Sequence, residues 1–381
     1  MQATIIGAGI GGLSTAIALA KDGIDVTVME QAPSPRPIGA GISLQPNALE
    51  CLKRLDVLDA VLGRSCSSLS AKVRHFRGGM IRQFDFSTYV ERFGHLPCTI
   101  HRADLFECLS EAATSLGVKI LFGQAFERFE DHGDHVELQT RSMQTTSDVL
   151  IGADGIQSGV REQLLGKQAT RYSGYICWRG ISDDPSLVED VDTMCEYWGH
   201  RARFGCMRCN AKQVYWYATR DQELPEPVQD DWHRHFEQWA PLVLRLICST
   251  ERSRVHVGPI TDRLPTPGWS RGRVALLGDA AHPMTPNLGQ GGGQAIEDAI
   301  ILAMALNRHE DVSNALAAYS DFRFPRTSEL TNMSHSVGKI GQGSTIWKRI
   351  VRNQLIGRVP ISWIDKTFDR QFRVSDQWDS F

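Results

Sequence analysis

Nowhere in this 381-residue chain do the ~18 consecutive apolar residues of a membrane-crossing helix occur. Positive charge is not in excess either: 41 Lys and Arg stand against 44 Asp and Glu, a net charge of −3, which gives no basic stripe to argue for a nucleic-acid partner. Internal repeats and low-complexity segments are missing, which argues against solenoid arrays and disordered linkers. Ahead of the first strand pattern there is no charged n-region, apolar h-region or cleavage site, and the chain is expected in the cytoplasm. Cysteine is present but unorganised. The nine are scattered and odd in number, which fits buried small apolar residues and not a disulfide framework. Cys206-x-x-Cys209 lacks the second ligand pair of a zinc site, and in a strand its two members would face opposite sides, so no metal is expected.

What the chain does have is glycine at telling places. The apolar run Ala3 to Ile6 leads into Gly7-Ala8-Gly9-Ile10-Gly11-Gly12 and then into the helix-like Leu13 to Ala20. Strand, glycine turn and helix in that order make a dinucleotide-binding start: Gly7 allows the tight turn, Gly9 lets the backbone approach a pyrophosphate, and Gly12 lets helix pack on strand. The helix N-terminus then faces the anion with free N–H groups and the positive end of its dipole. A second apolar strand, Ile24 to Met29, ends at Glu30, eighteen residues past Gly12 and near the ~20-residue spacing of a ribose-binding acid. A carboxylate there accepts hydrogen bonds from ribose hydroxyls and repels a 2′-phosphate, so the tightly held nucleotide is FAD or NAD rather than NADP.

A second glycine-rich stretch, Gly278-Asp279-Ala280-Ala281-His282-Pro283-Met284-Thr285-Pro286-Asn287-Leu288-Gly289-Gln290-Gly291, lies too far downstream to serve the same phosphates and reads as the other half of a flavin site. Between the two stands Gly152-Ala153-Asp154-Gly155-Ile156-Gln157-Ser158-Gly159-Val160-Arg161. In this order the three motifs resemble the FAD-dependent single-component aromatic hydroxylases, the group A flavoprotein monooxygenases, and the resemblance covers essentially the whole chain. It implies that Asp279 hydrogen-bonds the ribityl chain, that the loop Pro286 to Gly293 runs beside the isoalloxazine, and that the middle motif lies between the flavin and the groove where a nicotinamide donor docks. Arg102, in the sequence His-Arg-x-Asp-Leu, and Ser43 match family positions at the flavin. The residues assigned to FAD are Gly7, Gly9, Gly12, Glu30, Gln31, Ser43, Arg102, Phe126, Asp154, Asp279, Gly289, Gly291 and Gly292. Gly293 stands where family members often carry Asn, so a side-chain amide to the flavin pyrimidine is missing. For Asp154 two roles stay open, support of the cofactor site or a cap on its own helix. Arg102 is either a flavin contact or an unpaired surface arginine at a helix start.

Finer similarity lies in Ser173-Gly174-Tyr175-Ile176-Cys177-Trp178-Arg179, in the stretch Trp198 to Gly205 and near Ile340 to Val359. These segments are similar to the branch containing the 2-alkyl-4-quinolone 3-monooxygenases, with FAD-dependent urate hydroxylases as cousins. The implied function is an FAD-dependent monooxygenase that uses NADH or NADPH as a visiting electron donor and O2 to hydroxylate a planar N-heteroaromatic substrate such as a 2-alkyl-4-quinolone, through a flavin C4a-hydroperoxide. A single dinucleotide fingerprint suits a protein that holds FAD permanently. The Gly338 to Gly343 stretch is no rival, because no strand precedes it. Candidate catalytic residues are Arg203, Tyr215, His282 and Pro286. Arg203 matches a substrate-contacting position in the urate hydroxylase branch, and a guanidinium pairs well with a ring oxygen. Tyr215 and Tyr217 alternate with Trp216 on an expected strand, so both face one side, toward a cavity or toward core. His282 either relays a proton or serves a structural role in a helix-capping loop. A flavin-dependent epoxidase or a reductase of an apolar substrate would share the fold, and a redox-switched flavoprotein binding module is a further alternative.

The expected fold class is α/β (α+β). A Rossmann-like FAD-binding domain of the aromatic hydroxylase type spans 1–171 and 260–335, with strands inserted at about 64–100; a mostly antiparallel substrate-domain sheet occupies 172–259; and a helical segment occupies 336–381. A helix is expected over Asn47 to Leu62, antiparallel strands around Val118 to Phe122, Phe126 to Glu130 and His135 to Thr140, and a core strand over Arg273 to Gly278. From Ile346 to Ile356, Ile346, Trp347, Ile350, Val351 and Leu355 share one helical face and Lys348, Arg349 and Arg352 lie toward the other. Such a stretch either makes peripheral contact with a membrane or packs on the body as a lid. A monomer and a homodimer both stay open.

Overall fold

The computed structural model describes residues 1–35, 40–223, 231–342, 354, 357–374, 378 and 381. A six-stranded sheet lies at its centre, in the order Ser270–Arg271, Val274–Leu276, Val149–Gly152, Gln2–Ile6, Asp25–Glu30, Lys119–Phe122. Every neighbouring pair but the first runs parallel. Parallel strands are buried on both faces, which is why their sequences are nearly continuous in apolar residues. On one face Ile5, Val149, Ile151 and Ala275 pack under the helices Ile10–Lys21 and Gly291–Arg308. On the other, Ile6, Leu150, Val274 and Leu276 meet Phe129, Val136 and Leu138 of a three-stranded antiparallel sheet and Val160 of the helix Gly159–Leu165.

Two expectations need correction here. Lys119–Phe122 is not antiparallel to the strands that follow it; it runs parallel to Asp25–Glu30, because the helix Arg102–Ser115 has just carried the chain across the sheet, as a parallel connection requires. The single helix expected over Asn47 to Leu62 is two, Pro46–Arg54 and Leu58–Gly63. Asp56 between them takes φ 58°, a left-handed conformation that ends a helix whose apolar periodicity continues past it.

The second large sheet has seven strands in the order His256–Asp262, Arg171–Ser182, Gln213–Asp221, Ala202–Asn210, Thr193–Trp198, Ser70–His75, Met80–Asp85. The last two come from the segment expected as an insertion at about 64–100, and Ser70–His75 pairs parallel to Thr193–Trp198. Side chains alternate across the sheet with period two. Ile176, Trp178, Phe204, Cys206, Trp216 and Ala218 pack on Val243 and Leu246 of the helix Pro241–Ser249. Tyr175, Cys177, Ile181, Met207, Cys209 and Tyr215 take the opposite face. Cys206 and Cys209 thus part company as their spacing predicts, and all nine cysteines are free thiols, seven of them buried.

A 31-residue helix, Val312–Gln342, runs from the central sheet to this second face, and the helix Ile361–Phe372 returns to pack Phe372 on Tyr89 and Phe86. Among the described residues no helix is long and apolar enough to cross a membrane. The amphipathic stretch read at 346–356 lies outside the described residues, Gln354 apart.

Candidate active site

The three glycine-bearing motifs leave the C-terminal ends of adjacent strands: Ile6 is level with Gly152, and Gly152 with Leu276. Backbone pairing continues just past them, Ala153 N–H donating to Ile6 O at 2.8 Å and Leu277 N–H to Gly152 O at 2.9 Å. This edge is where open α/β sheets bind nucleotides.

Each glycine of the first turn has a distinguishable reason. Gly7 sits at φ 103°, and a Cβ there would lie 2.5 Å from Ala153 O. A Cβ on Gly12 would lie 1.9 Å from Gly7 O. The protein itself requires both. At Gly9, by contrast, a Cβ would meet nothing within 4 Å among the described residues, and its φ of −74° suits any residue. Room is kept there for something other than protein. Gly11 had no role in the sequence reading, yet a Cβ on it would lie 2.7 Å from Leu277 Cδ2 and 3.2 Å from Ala295 Cβ, so it sets how closely the first helix approaches the third motif.

Neither Ile10–Lys21 nor Gly291–Arg308 has a side-chain hydrogen bond at its N-cap. Two sets of first-turn N–H groups, each at the positive end of a helix dipole, are therefore offered to an anion or an electron-rich ring edge. Glu30 is fixed at the neighbouring strand end, Oε2 accepting from Ala8 N at 2.9 Å and Oε1 from Ala32 N at 2.8 Å, with the exposed Gln31 beside it. The open approach at Gly9, the two helix starts and the acid between them fit FAD.

Asp279 is reached by solvent, yet burial raises its carboxyl above the ordinary range, against the opposing pull of His282 and Arg102. Arg102 is exposed at the start of its helix, close enough to act on Asp279 and Tyr215, and its guanidinium has no hydrogen-bond partner among the described residues. Ser43 Oγ lies 3.4 Å from both Thr99 Oγ1 and Met207 Sδ. Phe126 covers Gly159, where a Cβ would lie 2.9 Å from its ring, at the edge of the core beneath the central sheet.

Asp154 makes the helix cap that was one of its two open roles. Its oxygens accept from Ser158 Oγ (2.5 Å), Gly159 N (2.8 Å) and Val160 N (3.3 Å), and burial raises its carboxyl. Arg161, 2% exposed, donates from Nη1 to Ala280 O at 2.9 Å and from Nη2 to Gln168 Oε1 at 2.7 Å. Burial, with Arg263 nearby, lowers its pKa to about 10.

Behind the third motif lies a buried ion cluster. Asp298 Oδ2 accepts from Gly278 N at 2.9 Å and pairs with His282 Nε2 at 2.6 Å, while Oδ1 accepts from Arg323 Nε at 2.7 Å. Glu297 accepts from Arg323 Nη1 and Arg326 Nε, each at 2.8 Å, and from Asn47 Nδ2 at 2.6 Å. Burial alone would raise the Asp298 carboxyl, but His282 and Arg323 hold it down at about 2. His282, the candidate proton relay, belongs to this cluster and keeps Nδ1 buried without a partner among the described residues. Asn47 also crowds Gly293: a Cβ there would lie 3.3 Å from Asn47 Nδ2 and from Ala48 Cβ, so a larger residue would need these neighbours to give by a few tenths of an ångström.

The face of the seven-stranded sheet opposite helix Pro241–Ser249 forms a roof. Arg203, 5% exposed, donates from Nη2 to Asn287 Oδ1 at 2.6 Å and from Nη1 to Glu196 Oε1 at 3.3 Å, and its Nε is buried without a partner among the described residues. Glu196 Oε1 also accepts from Tyr217 Oη, and Oε2 from Trp198 Nε1, both at 2.8 Å. Asn287, in the short turn Pro286–Leu288, donates to Tyr175 Oη (3.0 Å), Thr285 Oγ1 (2.9 Å) and Ser334 O (3.0 Å). Roof, loop and long helix therefore meet at two side chains. Gly338 and Gly341 let the helix come this close, since a Cβ would lie 2.4 Å from Asn287 Nδ2 at the first and 2.9 Å from Arg203 Nη1 at the second. Tyr215 lies across Gly41 and Tyr217 across Gly205, and burial raises both phenols. Trp216 takes the other face and donates from Nε1 to Thr250 Oγ1 at 2.7 Å. Pro286 is exposed at the start of its turn.

Sequence reasoning missed Glu196, Asn287, Asn47, Asp298 and Arg323. One signal was available: Glu297 and Asp298 stand side by side in an otherwise apolar helix, where burial without a cationic partner would be prohibitive.

The FAD binding domain family matches residues 1–334. The chain is 36% identical over 378 residues to the aurachin C monooxygenase/isomerase of Stigmatella aurantiaca, covering 97% of each chain. It is 34% identical over 374 residues to the 2-heptyl-3-hydroxy-4(1H)-quinolone synthase of Pseudomonas aeruginosa, covering 94% of each. Among solved structures it superposes on Klebsiella pneumoniae HpxO complexed with FAD and uric acid with a TM-score of 0.89 at 31% identity, over 97% of this chain and 96% of that one. With three motifs converging on one nucleotide edge and this match along the chain, the protein belongs to the FAD binding domain family and is an FAD-dependent NAD(P)H monooxygenase of the aromatic hydroxylase type.

Proposed function

We propose that the chain hydroxylates a planar N-heteroaromatic substrate, such as a 2-alkyl-4-quinolone, held between the roof and the turn Pro286–Leu288. The observation that carries this reading is Arg203, a buried guanidinium joined to Asn287 of that turn with Nε left without an acceptor among the described residues. An oxygen on a flat ring supplies the acceptor, and a buried donor left unmade is costly. Quinolone and uric acid, which appear in the names of two of the similar proteins, are both flat nitrogen heterocycles bearing such an oxygen.

Bound FAD supplies the redox chemistry, accepting hydride from NADH or NADPH and activating O2. Gly7, Gly9 and Gly12 with the first helix start would hold its pyrophosphate, Glu30 the ribose, Asp279 the ribityl chain, and Gly289, Gly291 and Gly292 the polar edge of the ring. The side chains of the roof act on the substrate. Arg203 orients the ring oxygen, Tyr215 offers an apolar face with a polar tip, and the long helix closes the Arg203 end against water.

The test is a panel of heteroaromatics offered to the purified holoprotein. NAD(P)H consumption is expected to rise with a 4-quinolone, and label from isotopic O2 is expected in the product. Consumption indifferent to every ring would refute the reading, and a product free of label would mark a reductase instead.

A further inference from the structure

We propose that the Arg203 end of the cavity selects an uncharged ring carbonyl over an anionic ring or carboxylate, and that Glu196 sets this preference. The proposal rests on the reading of the cavity given above.

Alone, a buried guanidinium draws negative charge. Here that demand is already met. Glu196 Oε1 lies 3.3 Å from Arg203 Nη1, and the same carboxylate accepts from Tyr217 Oη and Trp198 Nε1. All three contacts to Glu196 come from donors, and its negative charge lies against the positive charge of Arg203. Nη2 is taken by the neutral Asn287 carbonyl oxygen. Arg203 Nε is the guanidinium nitrogen left buried and without an acceptor among the described residues.

A neutral lactam or vinylogous amide needs only that one hydrogen bond. An anion would give up its hydration to reach a cation already neutralised, with the Glu196 carboxylate bound to the same guanidinium. Arg179, another arginine on this face, is set beside Cys177 and Tyr215, toward the end of the roof that covers Gly41.

Calorimetric titration of the holoprotein with 2-methyl-4-quinolone and with 4-quinolone-2-carboxylate compares the same ring with and without a charge. The wild type is expected to bind the neutral ring at least about tenfold more tightly, Glu196→Gln to shrink that ratio by about tenfold or more, mainly by tightening the carboxylate, and Glu196→Asp to keep it. Thermal unfolding with FAD bound checks that each variant folds; if Glu196→Gln does not, the wild-type ratio and Glu196→Asp decide. A wild type that binds the carboxylate equally well, or a ratio that ignores Glu196→Gln, overturns the proposal alone. Binding of neither ring overturns the reading of the cavity and this proposal with it.

Discussion

Arg161 reaches from the second motif to the third, with Nη1 2.8 Å from the carbonyl oxygen of Ala281. The backbone that follows Asp279 is thus held by a side chain more than a hundred residues away. Arg161→Met keeps length and apolar bulk but removes the donors, leaving the Ala280 and Ala281 carbonyls buried and unpaired. Urea denaturation is expected to show a loss of roughly 2–4 kcal/mol, with faster release of FAD. A variant of unchanged stability would mean that water replaces the guanidinium.

Gly9 and Gly12 predict opposite failures. Gly12→Ala forces a Cβ against Gly7 O and should yield little folded protein. Gly9→Ala meets no atom of the described residues and should leave the melting temperature of the FAD-free protein within a few degrees, while FAD affinity falls by about tenfold or more. Equilibrium titration with FAD, followed by quenching of its fluorescence, separates the two. An FAD affinity that survives Gly9→Ala would move the pyrophosphate away from this turn.

Asp298 makes a specific acid-stability prediction. Its folded pKa of about 2 lies below the ordinary value of 3.8, so its contribution is present above about pH 4 and is lost as pH falls toward 2. That contribution is roughly 2 kcal/mol. Asp298→Asn should cost ~3–5 kcal/mol at neutral pH by leaving Arg323 and His282 without their shared carboxylate, and should flatten this segment of the acid limb. Circular dichroism across pH 7 to 2 reads both; parallel acid limbs for variant and wild type would contradict the assignment.

Arg203→Lys tests geometry against charge. A lysine keeps the cation but gathers its donors on one nitrogen, losing the planar fork that spans Glu196, Asn287 and a substrate oxygen. Substrate-stimulated NAD(P)H oxidation is expected to lose ~10- to 100-fold in kcat/KM while FAD binding is unchanged. Full activity in Arg203→Lys would show that only the charge matters.

The nucleotide half of the site was legible because it is local: strand, glycine turn, helix and acid fall within thirty residues, and each link has its own steric signature. The direction of Lys119–Phe122 was not legible, since short apolar strands look alike in either orientation and the helix before it had to be weighed as a crossover. The break at Asp56 was hidden by a hydrophobic stripe that persists through it. Period two correctly separated Cys206 from Cys209 and placed Tyr215 and Tyr217 on one face, because it follows from backbone geometry alone. The Arg203–Asn287 contact spans 84 positions and depends on two glycines in a third element, so no local pattern could announce it.

Val274–Leu276 takes its place directly beside Val149–Gly152, which itself lies beside Gln2–Ile6. A polypeptide emerging from the ribosome therefore exposes its first glycine turn long before the strand that completes the cofactor's clasp has been made. Pairings of such sequence separation form late and slowly. The prosthetic group is therefore expected to be acquired after synthesis of the catalytic body, and a product arrested before residue 274 is expected not to retain it.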